Sequence, residues 1–155
     1  MPVRHALLIA VIVLGASPAG AEWRTVTTNA KPPSYTLFQE SQPPGLNFGF
    51  SCAEGKPREV SLSTWSWDLD DNKPLAVQIT TQRGTKTWTF APTKDAISSW
   101  RPSPADEAAI AIWLEEGSDK GVGIRVPNKK GKLLSASFPG ELGFSLYSLR
   151  GSCGG

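Results

Sequence analysis

The chain has 155 residues, of which 39% are hydrophobic and 19% charged, and its formal net charge is +2. This composition is typical of one globular domain and excludes a disordered or fibrous chain, while the small charge argues against a surface for nucleic acid or an anionic membrane. The single histidine is His5. If an N-terminal segment containing it is removed, Ser-His-Asp and Cys-His catalysis and every histidine metal site are excluded.

The first 21 residues have the three parts of a secretory signal peptide. Arg4 precedes an uncharged apolar run at 6–16, and an Ala-Gly-Ala tripeptide ends the segment before Glu22. The apolar run is shorter than the ~20 residues that a membrane-spanning helix needs. We therefore expect 1–21 to be cleaved, leaving a single β-rich domain at 22–155 that is periplasmic or secreted and has no stable membrane span.

The first two-thirds of the domain has the alternating pattern of β-strands. The polar segment at its start carries Trp23 and Val26, which favour docking as an edge strand. The segment 35–40 is short and β-prone. Apolar residues then alternate with polar ones in four predicted strands, which are 46–52, 59–67, 75–81 and 85–91. In 59–67, Trp65 and Trp67 lie on the face opposite the aliphatic residues. The proline-flanked segment 92–102 reads as a loop.

The last third contains two predicted helices separated by a strand pair. Ser103, Pro104 and Asp106 form a helix start signature, and the helix is expected over 104–116. Strands follow at 122–126 and 134–138. A second helix is predicted over 140–150, with Leu142, Leu146 and Leu149 on one face. The expected fold is therefore mainly β, an antiparallel β-sandwich or flattened barrel with one internal helix and a C-terminal helix.

The two cysteines, Cys52 and Cys153, are expected to form one disulfide bond. Their separation excludes a Cys-x-x-Cys redox pair, and an even cysteine count in an exported chain favours a structural bridge. Cys52 lies on the apolar side of its predicted strand, and Cys153 continues the leucine face of the C-terminal helix. Both sulfur atoms are thus expected on buried faces.

Two groups of side chains are candidates for a binding surface. The tryptophans Trp65, Trp67 and Trp88 could form a platform for sugar rings or peptide, or could belong to the core. The adjoining loop contains Asp68 and Asp70 and begins like a calcium-binding loop. Its sixth and twelfth positions are lysine and isoleucine rather than glycine and glutamate, so we expect no bound metal.

No catalytic residues are predicted, and no cofactor is expected. An enzyme without histidine would need paired carboxylates, as in glycoside hydrolysis, or a Ser-Lys arrangement. The available acids lie where loops and helix starts favour acidic residues; they are Asp68, Asp70, Asp71, Asp106 and Glu107. The chain contains no Gly-x-Ser-x-Gly, phosphate-loop or dinucleotide-binding motif.

Short motifs at both ends of the domain support a family resemblance. A Phe-x-Phe-x-Cys strand (Phe48, Phe50, Cys52) follows the signal, and the chain closes with Phe138-x-Gly140 followed by the leucines and Cys153. Over about residues 46–153 the chain resembles small periplasmic proteins of proteobacteria and is distantly similar to the invasion-associated locus B family. The resemblance implies a β-sandwich with an envelope role and supplies no catalytic residues.

The leading functional hypothesis is an exported, non-enzymatic protein that binds an envelope protein or glycan. A second is an inhibitor of a hydrolase, such as a lysozyme or protease, which would insert the loop 68–72 or the loop 127–131 into its target. A third is a carboxylate-based glycosidase. We expect no nucleic-acid partner.

Overall fold

The computed structural model describes residues 22–94 and 97–154, which contain nine strands and two helices. The strands are β1 (Arg24–Thr27), β2 (Ser34–Glu40), β3 (Leu46–Ala53), β4 (Glu59–Thr64), β5 (Leu75–Thr81), β6 (Gly84–Pro92), β7 (Ser98–Arg101), β8 (Val122–Pro127) and β9 (Leu133–Phe138). The helices are α1 (Pro104–Gly117) and α2 (Leu142–Ser152). The predicted signal segment 1–21 lies outside the described residues.

All nine strands belong to one antiparallel sheet in the order β1-β2-β3-β4-β7-β6-β5-β8-β9, curled into a half-barrel. The long strand β6 joins the two halves, because it pairs with β5 along its length and with β7 through Ala91 and Pro92. Beyond β2, Gln42 exchanges two backbone hydrogen bonds of 2.8 and 2.9 Å with Ser137 in β9. This bridge brings the two ends of the curled sheet together. The predicted mainly antiparallel β fold with two helices is confirmed.

The core lies inside the curl. Phe48 and Phe50 of β3 point inward and are fully buried, as their alternation predicts. Trp23 packs between the two ends of the sheet, with its ring centroid 6.4 Å from that of Phe48 and 6.2 Å from that of Phe138 in β9. The exposed start of the domain is therefore fixed by an aromatic side chain that fills the space between the first and last strands.

Helix α1 begins where the sequence predicts. Ser103 accepts a hydrogen bond of 3.2 Å from the backbone N–H of Asp106, which satisfies one of the free donors of the first turn. Helix α2 begins at Leu142 rather than at 140, because Gly140 has a φ of +97°, outside the helical region. The two helices pack against each other and bury their apolar faces in the core.

The structure pairs Cys52 with Cys153, as predicted. Their Cα atoms are 5.8 Å apart, within the usual range for bridged cysteines. Cys52 lies near the end of β3, and Cys153 follows the last turn of α2. The disulfide therefore attaches the C-terminal helix to the middle of the first half of the sheet.

One strand was not predicted. The segment 92–102 was expected to be a loop, yet it contains β7, which pairs with both β4 and β6. Trp100 of β7 is fully buried and its Nε1 donates a hydrogen bond of 3.2 Å to the carbonyl of Lys73. The strand is only four residues long and lies between prolines, so its pattern was too short to recognise.

Candidate binding surfaces

The turn after β4 determines where two of the candidate tryptophans lie. The Thr64 hydroxyl donates a hydrogen bond of 2.6 Å to the carbonyl of Gly45 and accepts one of 2.9 Å from the backbone N–H of Trp67. Such local hydroxyl bonds compete with strand pairing and turn the chain. The predicted strand 59–67 therefore ends at Thr64, and the expectation that Trp65 and Trp67 share one strand face is wrong.

The three tryptophans have different environments. Trp65 is 60% exposed. Trp67 packs partly against the core, and its Nε1 donates to the carbonyl of Pro44 at 3.2 Å. Trp88 lies opposite Val77 on the inner side of β6 and is also partly buried against the core. Trp65 thus has the accessible indole of this group.

A glycine allows the Trp65 turn to pack closely on the neighbouring turn. Gly45 has a φ of +117°, and a Cβ atom at this position would lie 2.7 Å from Cδ1 of Trp67. A residue with a side chain would meet both an unfavourable backbone conformation and a steric overlap. The position of Trp65 on the surface is therefore held by a tightly packed pair of turns.

The acidic loop lies beside the basic turn between β8 and β9. The backbone N–H of Lys129 donates to the carbonyl of Asp68 at 3.0 Å, and Lys129 Nζ is 3.2 Å from the Asp68 carboxylate. Asp70 accepts a hydrogen bond of 3.1 Å from the backbone N–H of Asn72, which together with Lys73 lowers the pKa of its carboxyl group. The two loops proposed for hydrolase inhibition therefore form one surface.

A cleft beside Trp65 was not predicted from the sequence. It has a volume of about 260 Å³ and lies over the first three strands. Its lining residues come from the chain start, β1, β2, β3 and the turn after β4; they are Glu22, Arg24, Phe38, Gln39, Glu40, Asn47 and Trp65. We call this the Trp65 cleft.

Strand register explains how the Trp65 cleft forms. Arg24 lies opposite Phe38, and Glu40 lies opposite Asn47, so side chains from three strands meet on the outer face of the sheet. The β-prone composition of β2 is visible in the sequence. The pairing of β2 with its neighbours is not, and this pairing determines which polar residues lie beside Trp65.

The helical acids considered for catalysis have structural partners. Glu107 accepts hydrogen bonds from the backbone N–H of Val60 at 3.1 Å and from Arg101 at 2.9 Å, and it is 7% exposed. Burial lowers the pKa of Arg101, but its hydrogen bonds to Glu107 and Glu59 outweigh this and raise the pKa above its ordinary value. Asp106 bonds to the hydroxyl of Ser103 at 2.9 Å. These two carboxylates stabilise the start of α1.

Neither a metal-binding cluster nor a membrane-spanning helix accompanies these surfaces in the described residues. Among residues 22–94 and 97–154, no three Asp, Glu, His or Cys side chains cluster as a metal site. None of the helices in this described part is both long and apolar enough to cross a membrane. No family model, curated protein or solved structure matches the chain. The resemblance to the invasion-associated locus B family therefore stays a prediction.

Proposed function

We propose that the protein is an exported, non-enzymatic envelope protein that binds a glycan at the Trp65 cleft. The observation that carries this proposal is the 60% exposure of Trp65, a large aromatic side chain on the surface beside polar groups. Exposed aromatic surface next to convergent polar groups is typical of binding sites. An indole face can cover the apolar C–H face of a sugar ring.

The polar residues of the cleft match the hydroxyl groups of a sugar. The carboxylates of Glu22 and Glu40 accept hydrogen bonds, Arg24 donates them, and the amide of Asn47 can do both. At about 260 Å³, the cleft is slightly smaller than the ~300–1,000 Å³ of sites that enclose a drug-sized ligand. It suits one or two rings of a longer polymer lying across the surface.

The predicted export signal and the disulfide support a binding role in the envelope. Disulfide bonds persist in oxidising compartments such as the periplasm. The polymer that we propose is therefore peptidoglycan, whose backbone consists of linked amino sugars. Binding rather than cleavage is supported by Glu107 and Asp106, which are engaged within the fold.

The test is a titration of the protein, produced from the full chain, with chito-oligosaccharides and with purified peptidoglycan. If a ring covers about 100 Å² of the indole at ~25 cal/mol per Å², Trp65→Ala loses about 2.5 kcal/mol, or roughly 70-fold in affinity. Tyr147→Ala is the matched control, because Tyr147 is a 67% exposed aromatic on α2 outside this cleft.

We expect Tyr147→Ala to bind like the wild type and Trp65→Phe to keep part of the affinity. Equal binding by the wild type and Trp65→Ala would refute the proposal. Release of smaller sugar fragments during the titration would replace it with the glycosidase hypothesis, using the carboxylates of Glu22 and Glu40.

The hydrolase-inhibitor hypothesis is the second candidate, favoured by the contact between Asp68 and Lys129. A rigid pair of loops is the kind of surface that inserts into an enzyme cleft. Inhibition of lysozyme or of a secreted protease by the wild type, abolished in Lys129→Ala, would support it. Unchanged enzyme rates at a large excess of the protein would exclude these targets.

A further inference from the structure

Strand β1 has an unpaired edge. Within the described residues it pairs with β2 alone, and its register places Thr25 opposite Leu37 and Thr27 opposite Tyr35. The backbone N–H of Thr28 donates to Ser34 at 2.9 Å, which fixes the alternation of hydrogen-bonded pairs. It follows that the N–H and C=O groups of Thr25 and Thr27 point away from β2, toward the open edge.

The sequence of β1 protects this edge only by its short length and one charge. Sheet edges are usually blocked by proline, a bulge, an inward-pointing charge, other charged side chains or very short strand length. The four-residue β1 has the last two of these features and none of the first three. β1 instead has three β-branched residues in succession, Thr25, Val26 and Thr27, and its one charge, Arg24, lies on the outer face beside Trp65. Val26 is 49% exposed on that same outer face. The strand therefore has the composition of one that pairs on both sides.

A groove runs beneath the edge on the inner side. It has a volume of about 380 Å³ and lies between Thr25, Thr27 and Tyr35 of the sheet and Phe144 and Leu149 of α2. Phe144 is 73% exposed at its rim. A strand added to β1 would place its inward side chains over this groove and cover part of Phe144.

We propose that the occupant of this edge is a second copy of the chain, with the two β1 strands paired antiparallel about a twofold axis at Val26. In this register, Thr25 of each copy faces Thr27 of the other. Each of these four residues donates its outward N–H to the C=O of the residue that it faces, which gives four hydrogen bonds between the copies. Val26 faces Val26 across the axis, in the closely spaced type of antiparallel pair.

The charges and side chains of β1 favour a second copy over an unrelated strand. Arg24 of one copy faces Thr28 of the other, so no like charges lie opposite each other. The exposed Val26 side chains form an apolar β-branched pair, and the same surface is self-complementary, as a twofold interface requires. Each Phe144 then lies beneath the strand contributed by the other copy.

The dimer would also affect the proposed glycan site. A twofold axis that relates antiparallel edge strands keeps the outer face of each sheet on the same side. The two Trp65 clefts would then lie on one continuous surface, where a long polymer could occupy both and gain avidity. This consequence rests on the proposed function, whereas the dimer itself does not.

The experiment is sedimentation equilibrium without glycan, comparing the wild type with Val26→Asp and Val26→Thr. Val26→Asp places two carboxylates directly opposite each other at the axis, on a side chain that is already half exposed. We expect the dissociation constant of the dimer to rise at least tenfold and to recover partly at high salt, because salt screens exposed charges. Val26→Thr keeps the β-branched shape and should retain the dimer.

Thr27→Pro is a second variant that acts on the backbone. It removes an N–H that faces the open edge and leaves the ladder to β2 intact, which is where proline is tolerated in a strand. We expect this variant to be folded, by its circular dichroism and melting temperature, and monomeric. Thr27→Ser is its control and should dimerise.

Two results would overturn the inference. One is a wild-type protein that remains monomeric at millimolar concentration. The other is a dimer whose dissociation constant is unchanged in both Val26→Asp and Thr27→Pro. Since no glycan is present, failure here leaves the Trp65→Ala binding test unaffected, and a failed glycan titration leaves the dimer unaffected.

Discussion

Removal of the disulfide by Cys52→Ala/Cys153→Ala should destabilise the whole domain. The bond closes a loop with a sequence separation of 101. In the chain-entropy description, a loop of this length contributes about 4.7 kcal/mol by restricting the unfolded chain. For a domain of this size, this corresponds to a fall in melting temperature of roughly 15–20 °C.

The structure predicts that this loss is global rather than a release of the C-terminal helix. Leu142, Leu146 and Leu149 are each at most 5% exposed, and burying a leucine contributes about 1.5–3 kcal/mol. Three such side chains contribute about 4.5–9 kcal/mol to the docking of α2, which is comparable to or greater than the ~4.7 kcal/mol of the bridge. The helix should therefore remain packed in the native state of the variant.

Urea unfolding and amide hydrogen exchange measure the two parts of this prediction. The free energy of unfolding should fall by about 4–5 kcal/mol, and the m-value should rise because the unfolded chain is no longer compacted by the bond. Wild-type protein in reducing buffer is the control that keeps both sulfur atoms. A loss below about 1 kcal/mol, or fast exchange confined to α2 without global destabilisation, would refute the reasoning.

Three further substitutions test individual contacts. Glu107→Ala removes the carboxylate that accepts hydrogen bonds from the buried N–H of Val60 and from Arg101, so the free energy of unfolding in urea should fall by about 2–3 kcal/mol. Glu107→Gln keeps an acceptor and should lower the free energy of unfolding by less. Equal losses in the two variants would contradict this. Gly45→Ala should lower the melting temperature, because its φ of +117° and the contact with Trp67 both oppose a side chain, and an unchanged melting temperature would show that the turn can rearrange. Asp70→Asn keeps the acceptor for the Asn72 N–H but removes the charge. Because the folded pKa lies below the ordinary 3.8, the wild type should be the more stable protein at neutral pH. The difference should shrink as the pH falls below 3.8 and disappear once the pH has passed through the lower, folded pKa; a difference that persists in stronger acid would contradict this.

Short sequence patterns were sufficient to predict the start of α1, the inward face of β3 and the disulfide. The start of α1 depends on Ser103 and Asp106, which are adjacent in sequence, and the inward face of β3 follows from strict alternation. The disulfide was predicted from the cysteine count and from two independent face assignments. The helix start and the two face assignments need only residues within a few positions of one another, whereas the pairing itself follows from the chain having only two cysteines.

The candidate site depended on contacts between distant segments, and sequence patterns do not show these. Strand β4 ends at Thr64 because its hydroxyl bonds to Gly45, 19 residues away, so the pattern alone extended the strand through Trp67. The Trp65 cleft likewise combines side chains from three strands whose register had to be known. The sequence identified Trp65 as a candidate, but it could not show that Trp65 is exposed while Trp67 and Trp88 are partly buried.

The most direct test of the glycan-binding claim is a two-dimensional NMR spectrum that resolves the indole N–H signals of the six tryptophans. On addition of chito-oligosaccharide, the proposal predicts that the Trp65 signal shifts in a saturable way while those of the buried Trp100 and the other indoles change little. A spectrum in which the Trp65 signal stays unchanged at saturating sugar, or in which another tryptophan shifts instead, would contradict the assignment of this cleft as the binding site.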